Sequence, residues 1–241
     1  MMSLKFSSAN TKLLKIPKYI KKSGKSYSLD LLAGKSCPGA KQCKCSVVQQ
    51  NNKYYSIKDG KDCKFRCFSA SLEALYSKVY QRHLSNYLAI KNAKTKKKIS
   101  KLIQENIPKN ATVIRYHSSG DFFTQSYFDA AIEVAINNPE IIFYAYTKSL
   151  LFWTKRLNDI PNNLILTASY GGKYDNLIEK YNLRSATVVF SKNEAKKLNL
   201  KIDKNDSKAA QNGISFALLL HGIQPAKTKA SKAWQIIKNS K

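Results

Sequence analysis

With 241 residues, 42 Lys and Arg against 15 Asp and Glu, and a formal net charge of +27, the chain can bury one sizeable core and is strongly basic. The charge favours a polyanion as partner, because phosphate contacts release counterions; DNA is the partner that we expect, and a Lys-rich surface without a partner is the alternative. No apolar run reaches the roughly 20 residues of a membrane span and residues 1–15 lack a signal-peptide core, which predicts a cytoplasmic protein and excludes a membrane partner.

The N-terminal residues, 1–26, are predicted to form an extended basic arm, because their lysines stand among few apolar side chains. Residues 27–241 are predicted to form a single α/β domain. Its first strand covers residues 27–33, where apolar and polar residues alternate up to Gly34. A Cys-rich loop, residues 37–67, follows this strand directly.

A helical pattern follows the Cys-rich loop, with apolar residues recurring at helical spacing over residues 72–88. Beyond Pro108, strand-like runs alternate with helical patterns, which implies parallel pairing through right-handed crossovers. Together with the first strand they make about six β/α units, so the predicted fold is a parallel β/α barrel, partial or complete. The strand-like runs cover residues 112–117, 141–146, 164–168, 186–190 and 214–220.

The five cysteines of the chain all fall in the Cys-rich loop, and an odd, clustered set in a reducing compartment favours a metal over disulfides. Thiolates in a short loop can converge on one ion or cluster. We therefore predict bound zinc or an iron–sulfur cluster, with free structural thiols as the alternative. The candidate ligands are Cys37, Cys43, Cys45, Cys63 and Cys67.

The segment 115–123 ends a β-branched strand in Ser-Ser-Gly-Asp and carries the first catalytic candidate, Asp121. The C-terminal edge of parallel strands is where α/β folds place their chemistry. His117 is predicted to carry a proton beside Asp121, which would act as nucleophile or general acid/base. Asp30, an acid in the first strand, is the candidate second carboxylate. The alternatives are a helix N-cap for Asp121 and a core histidine for His117.

Other strand ends carry residues suited to a ligand. Lys148 suits a phosphate or an oxyanion, Tyr170 can stack on a planar ligand, and a Gly-Gly pair lets backbone amides approach it. After the last strand, the imidazole of His221 and the side-chain amide of Gln224 can form hydrogen bonds with the edge of a base. The predicted substrate-binding residues are Ser118, Ser119, Gly120, Phe122, Lys148, Tyr170, Gly171, Gly172, His221 and Gln224.

Five short motifs occur in order along the chain: Cys37-Pro-Gly-Ala-x2-Cys43, Phe65-Arg-Cys67-Phe-Ser-Ala-Ser-x-Glu73, His117-Ser-Ser-Gly-Asp-Phe-Phe-x-Gln125, Phe143-Tyr-Ala-Tyr-Thr-Lys148 and His221-Gly-Ile-Gln-Pro. As an ordered set they resemble a bacteriophage family called gene product 88, over about residues 27–228. That family looks like a diverged relative of the phage 7-deazaguanine DNA transglycosylases, which are similar to tRNA-guanine transglycosylases.

The resemblance implies an enzyme that exchanges guanine in DNA for a 7-deazaguanine base on an α/β barrel. A carboxylate would attack the sugar C1′, guanine would leave, and the incoming 7-deazaguanine would displace the enzyme. By motif position, Asp121 corresponds to a catalytic aspartate of the barrel rim. The metal site departs from the pattern, because tRNA-guanine transglycosylases carry three Cys and one His near the C-terminal end of the barrel.

Two alternatives to base exchange stay open. A cysteine loop after the first strand of a six-unit partial barrel is similar to radical S-adenosylmethionine enzymes, although their Cys-x3-Cys-x2-Cys spacing is absent. The first alternative is therefore an iron–sulfur enzyme of this kind, with ligands Cys37, Cys43 and Cys67, acting on nucleic acid or nucleotide. The second is a non-catalytic, metal-stabilised nucleic-acid-binding protein.

Overall fold

The computed structural model of the protein describes residues 3–8, 11–51 and 54–240. Its main feature is a parallel sheet that curls into a half-barrel. The strands of the described residues are β1 (Lys25–Leu29), β2 (Cys45–Asn51), β3 (Tyr54–Asp59), β4 (Ala111–Tyr116), β5 (Ile142–Thr147), β6 (Leu164–Ser169), β7 (Ser185–Val189) and β8 (Phe216–Leu219). The sheet has six of them, in the order β1, β4, β5, β6, β7, β8, so the predicted parallel barrel is present as a half-barrel.

Helices cover the convex face of the sheet, as the alternation of strand and helix patterns predicted. Phe128, Ile90 and Ile103 are fully buried against strand residues such as Ile114 and Phe143. The helices are α1 (Thr11–Leu14), α2 (Lys18–Lys21), α3 (Phe68–Leu75), α4 (Ser77–Ala93), α5 (Lys96–Gln104), α6 (Gln125–Ile136), α7 (Leu150–Trp153), α8 (Asn176–Lys180), α9 (Lys192–Lys197) and α10 (Lys229–Asn239).

The concave face is covered by the segment that we expected to be an extended basic arm. Residues 11–21 form the short helices α1 and α2 instead. Leu13, Ile16 and Ile20 are buried there against Tyr144 of β5 and other strand residues. These three residues recur at helical spacing, so the segment has an apolar stripe that is buried on the sheet, while Lys15 and Lys18 are exposed and Lys12 and Lys21 are partly buried.

Two local features differ from the sequence-based prediction. The single helix expected over residues 72–88 is broken at Tyr76, which is extended with φ −124° and ψ 98° and separates α3 from α4. The Cys-rich loop contains an antiparallel hairpin of β2 and β3, in which Val47 pairs with Ile57. Val47 is buried against α3 and α4 through Ala70 and Tyr80, so the hairpin and the two helices form one unit beside the sheet.

Candidate functional site

A cavity of about 650 Å³ opens at the C-terminal ends of the parallel strands. The strand ends supply one side of it, and the Cys-rich loop with α3 and α4 supplies the other. Such an edge is where parallel α/β sheets bind ligands. Of the residues that the sequence singled out, the cavity brings together Asp30, Cys37, Cys43, Cys67, His117, Ser118, Ser119, Gly120, Asp121, Lys148 and His221.

Asp121 is 4% exposed and is held by the backbone on both sides. Its Oδ1 accepts hydrogen bonds from Phe122 N and from the Thr147 hydroxyl, both at 2.7 Å, and its Oδ2 accepts one from Lys148 N at 2.8 Å. Burial raises the pKa of Asp121 to about 6, although these donors and the Lys148 charge favour the carboxylate. A carboxyl group with this pKa can gain and lose a proton close to neutral pH.

Asp30 lies beside the Ser-Ser turn because β1 and β4 are neighbours, and Leu29 pairs with Tyr116 at their ends. Its Oδ1 accepts from the backbone amides of Ser118 and Ser119, at 2.6 and 3.3 Å. Its Oδ2 accepts from the Ser28 hydroxyl at 2.7 Å. Asp30 therefore fixes the turn that precedes Asp121, and its role as the second catalytic carboxylate stays a prediction.

His117 is buried in a left-handed backbone conformation with φ +67°. Its Nε2 lies 2.8 Å from the Tyr127 hydroxyl. Burial, together with the positive charge of Arg115, lowers the pKa of His117 to about 3. A neutral imidazole that is so hard to protonate is a poor proton carrier at neutral pH. The structure therefore favours the core-histidine interpretation of His117.

Lys148 and His221 line the cavity from two other strand ends. The Lys148 ammonium donates to the Ser169 hydroxyl. The His221 ring stacks near the Phe68 ring, with 4.7 Å between centroids. Burial, followed by the charge of Lys12, lowers the pKa of His221 to about 4, so its ring is neutral at pH 7. Lys148 is thus a cation beside a neutral hydroxyl, available to an anionic ligand group.

Three cysteines of the Cys-rich loop, Cys37, Cys43 and Cys67, line the cavity. Burial, followed by the charge of the neighbouring Cys43, raises the pKa of Cys67 to about 11. Burial raises the pKa of Cys37 well above its usual range, followed by the charges of Asp121 and Cys67. The three thiols therefore lie close enough together that a negative charge on one of them raises the pKa of another. In the ranges that the structure describes, no three Cys, His, Asp or Glu side chains converge as a site for a metal ion.

The other two cysteines lie away from the cavity lining. Cys45 is 2% exposed and belongs to the apolar core under the hairpin, where burial raises the pKa of its thiol far above the usual range. The Cys63 thiol donates to Phe65 O at 3.2 Å. Both thiols still lie near the other cysteines, because after burial Cys67 also raises the pKa of Cys45, and after burial Asp59 and Cys43 raise that of Cys63. The cavity lining therefore singles out three of the five predicted ligands, and the full set of five stays a prediction.

Several of the predicted substrate-binding residues make their contacts within the protein instead of facing a ligand. Phe122 is fully buried in the core and cannot hold a base. Gly171 N and Gly172 N donate to the Asp175 carboxylate at 2.8 and 2.9 Å rather than to a ligand. Tyr170 packs against the core on the convex side.

Gln224 is also occupied. Its side-chain oxygen accepts from Arg66 N at 2.7 Å, and its amide nitrogen donates to Arg66 O at 3.1 Å. The side chain is 7% exposed and lies outside the cavity lining. Gln224 therefore clamps the chain next to Cys67 onto the segment that follows the last strand, and it has no free amide with which to read a base edge.

A buried Glu73 joins three segments beside the cavity and was missed as a site residue. Its Oε1 accepts from Ala33 N and the Ser119 hydroxyl, both at 2.9 Å, and lies 2.7 Å from His83 Nδ1. In the sequence, Glu73 stood only within a helical pattern and at the end of one of the five ordered motifs. An acid and a histidine ten residues apart would not share one face of an unbroken helix, and the break at Tyr76 brings them together.

One model of a known protein family matches the chain. This model is described as Gene product 88 and matches residues 2–236. The chain belongs to the Gene product 88 family. The Gene product 88 match covers every residue that lines the cavity. No curated protein and no solved structure matches the chain, so the likeness of Gene product 88, a phage-associated family, to transglycosylases stays a prediction. Among the described residues, no helix is both long and apolar enough to cross a membrane.

Proposed function

We propose that the protein is an iron–sulfur enzyme, with Cys37, Cys43 and Cys67 as the ligands of a cluster at the cavity. The observation that carries the proposal is the position of these three thiols: they face one cavity at the C-terminal edge of a six-stranded parallel half-barrel, next to Asp121. This arrangement is similar to that of radical S-adenosylmethionine enzymes. A bound cluster would supply one-electron chemistry at this edge.

The thiols fit this role chemically. Burial, followed by neighbouring negative charges, raises the pKa of Cys37 and of Cys67, and a bound cationic iron centre would offset both effects because it stabilises thiolates directly. A cluster rather than a single ion is proposed because several irons and sulfides together can bridge thiolates that do not converge on one point. The fit therefore rests on the donor type and on the shared cavity.

The surrounding residues would prepare the substrate. Asp121, with a pKa of about 6, can exchange a proton with a bound group near neutral pH. Lys148 offers a positive charge to an anionic group. Asp30 and Glu73 hold the turn at residues 118–120 through backbone and hydroxyl donors, which fixes the approach to Asp121.

The proposal is tested by purifying the full chain without oxygen and measuring iron, sulfide and visible absorption. We expect a brown protein with iron and sulfide in similar amounts, and we expect Cys37→Ser, Cys43→Ser and Cys67→Ser each to lose most of the iron. Cys63→Ser is the matched control, because it removes a thiol of the same loop outside the cavity lining, and it should keep its iron. A colourless wild type, or equal iron in all four variants, would refute the proposal.

Base exchange on guanine in DNA is the second candidate. What favours it is that Asp121 lines the cavity with a raised pKa, as a carboxyl group involved in catalysis often does. Its two oxygens already accept three hydrogen bonds from the protein, which lowers their nucleophilicity. For this reason we rank base exchange, with its 7-deazaguanine substrate, below the iron–sulfur proposal.

DNA is the partner that we propose for either chemistry, and the non-catalytic alternative would share it. The net charge of +27 supports this, as does a group of exposed lysines in α5, Lys96, Lys97 and Lys98. Binding that depends on such charges weakens steeply with salt. We expect the affinity for a DNA duplex to fall by at least roughly tenfold between 50 and 200 mM salt; an affinity independent of salt would contradict this partner.

A further inference from the structure

One wall of the cavity is built from α3 and α4 and belongs neither to the thiol group nor to the strand ends. Leu72, Tyr76, Val79, Arg82 and His83 line the cavity along this wall. Tyr76 precedes α4, and Val79 and Arg82 are three residues apart on that helix, so their side chains are neighbours. The wall combines two aliphatic side chains, the rings of Tyr76 and His83, and one guanidinium.

Arg82 is the unusual member of this wall. Its Nε is buried and, within the described ranges, has no hydrogen-bond partner. A buried donor left unpaired is unfavourable. The other cavity arginines are occupied, because Arg115 pairs with Asp206 and Arg66 pairs with Asp59. Arg82 therefore lines the cavity with no carboxylate partner in the described ranges, and a planar or tetrahedral oxyanion in the cavity could accept from the terminal nitrogens of its guanidinium.

Tyr76 is the second unusual member. Its side chain is 58% exposed although it lines the cavity, so one part of the ring faces the cavity and another part faces solvent. Leu72, on the same wall, is 41% exposed. Exposed aromatic rings beside arginines are the typical stacking platforms of proteins that bind unpaired nucleotides. Arg82 lies six residues after Tyr76, in the second turn of α4.

We propose that this wall binds a nucleotide, with a phosphate on the Arg82 guanidinium and the base stacked on Tyr76. The inference rests on the proposed function, because it names the substrate class of the same cavity. A nucleotide carries both groups that suit this wall: a phosphate that pairs with the Arg82 guanidinium, and a flat base that covers the exposed ring of Tyr76. The net charge of +27 draws such a ligand to the protein.

The test measures binding of a fluorescein-labelled single-stranded DNA oligonucleotide to the full chain by anisotropy. We expect Arg82→Gln and Tyr76→Ala each to weaken binding by roughly tenfold or more. Tyr76→Phe keeps the stacking face and should bind like the wild type. Arg82→Lys keeps the charge without the planar fork and should fall between the wild type and Arg82→Gln. Unlabelled mononucleotide and oligonucleotide compete for the probe and show which form of nucleotide the wall takes.

Lys197→Gln is the matched control, because it removes one positive charge from α9, on an exposed site outside the cavity lining and outside the lysine group of α5. It should weaken binding by less than about threefold. Equal losses for Lys197→Gln and Arg82→Gln, or for Tyr76→Phe and Tyr76→Ala, would overturn the inference, as would displacement of the probe by neither competitor. Thermal melting checks that each variant is folded, and Arg82→Lys and Tyr76→Phe carry the test where a larger change fails to fold.

Iron content separates this inference from the iron–sulfur proposal. Variants at Arg82 and Tyr76 should keep the iron of the wild type while losing nucleotide, since neither side chain is a thiol ligand. A wild type without iron that still shows the predicted order of affinities would refute the cluster and support the nucleotide wall. If the wild type contains iron, and the Arg82 and Tyr76 variants bind the oligonucleotide as tightly as the wild type does, the nucleotide wall alone is refuted.

Discussion

Arg115 and Asp206 form a buried ion pair across 91 residues of chain, with 2.6 Å between Arg115 Nη1 and Asp206 Oδ2. Asp206 also accepts from the Lys12 ammonium at 3.0 Å and from the hydroxyls of Tyr144 and Tyr146 at 3.1 and 3.2 Å. Burial alone would raise the pKa of Asp206, but the charges of Arg115 and Lys12 hold it below its usual range. One carboxylate thereby joins the N-terminal helices, two strands and the loop before β8.

Replacing Asp206 by Asn should destabilise the protein strongly. The change leaves the buried Arg115 without its counter-charge, and removing one partner of a buried pair typically lowers the free energy of unfolding by about 3–5 kcal/mol. Urea unfolding measures this. Asp159→Asn is the control, because its pair with Arg156 is exposed at 3.7 Å and should contribute less than about 1 kcal/mol. Similar losses in the two variants would contradict the role given to Asp206.

Gly120 should not tolerate a side chain. Its φ is +93°, and a Cβ there would lie 2.5 Å from Ser36 Oγ and 2.7 Å from Leu31 Cβ. We expect Gly120→Ala to lower the free energy of unfolding by roughly 2 kcal/mol or more. Gly213→Ala is the matched control, since Gly213 also has positive φ but a Cβ there would contact nothing within 4 Å. Chemical denaturation of both variants isolates the steric part, and equal effects would contradict the tight packing around Gly120.

His117 should make the protein less stable in acid. Burial, followed by the charge of Arg115, lowers the pKa of its ring from 6.5 to about 3. Between these values the unfolded chain binds a proton that the folded protein does not, so the free energy of unfolding falls as the pH falls through this window. Between pH 7 and pH 5 this one group contributes a loss of about 2 kcal/mol.

His117→Asn should reduce that acid loss, and Asn is chosen because it tolerates the left-handed conformation. Urea unfolding of both proteins at pH 7 and pH 5 gives the comparison. His221, whose pKa is about 4, acts in the same direction and remains in the variant, so part of the acid loss persists. An unchanged difference between the two pH values would show that His117 does not titrate as described.

Asp121→Asn separates base exchange from the other candidates. If Asp121 attacks a sugar, the variant should abolish modified nucleosides in DNA and leave DNA binding intact, as measured by nucleoside mass spectrometry. If Asp121 only positions the chain, modification should persist, with stability changed by about 1 kcal/mol. Asp159→Asn, an exposed acid of the same type, is the control for the change of charge.

The local patterns predicted the half-barrel well. Strand-like runs over 112–117, 141–146 and 164–168 agree within a residue or two with β4, β5 and β6, because buried parallel strands are continuous apolar stretches. The same patterns placed Asp121 at the C-terminal edge of a strand. The patterns failed at Tyr76, where the periodicity of two separate helices reads as one continuous helix, and at the β2–β3 hairpin, which lies within the Cys-rich loop.

The sequence by itself determined the fold class, the clustered thiols and the strand end that carries Asp121, because hydrophobic periodicity and strand order are local properties of the chain. Only the tertiary structure decided which polar side chains form hydrogen bonds within the protein and which remain available to a ligand. The Gln224 amide bonds to the backbone of Arg66, the Asp30 carboxylate accepts from the Ser118 amide, and the Asp206 carboxylate accepts from Arg115 and Lys12. These partners are far apart in sequence, so no local pattern specifies them, and their pairing follows from the need to satisfy buried donors and charges in the folded protein.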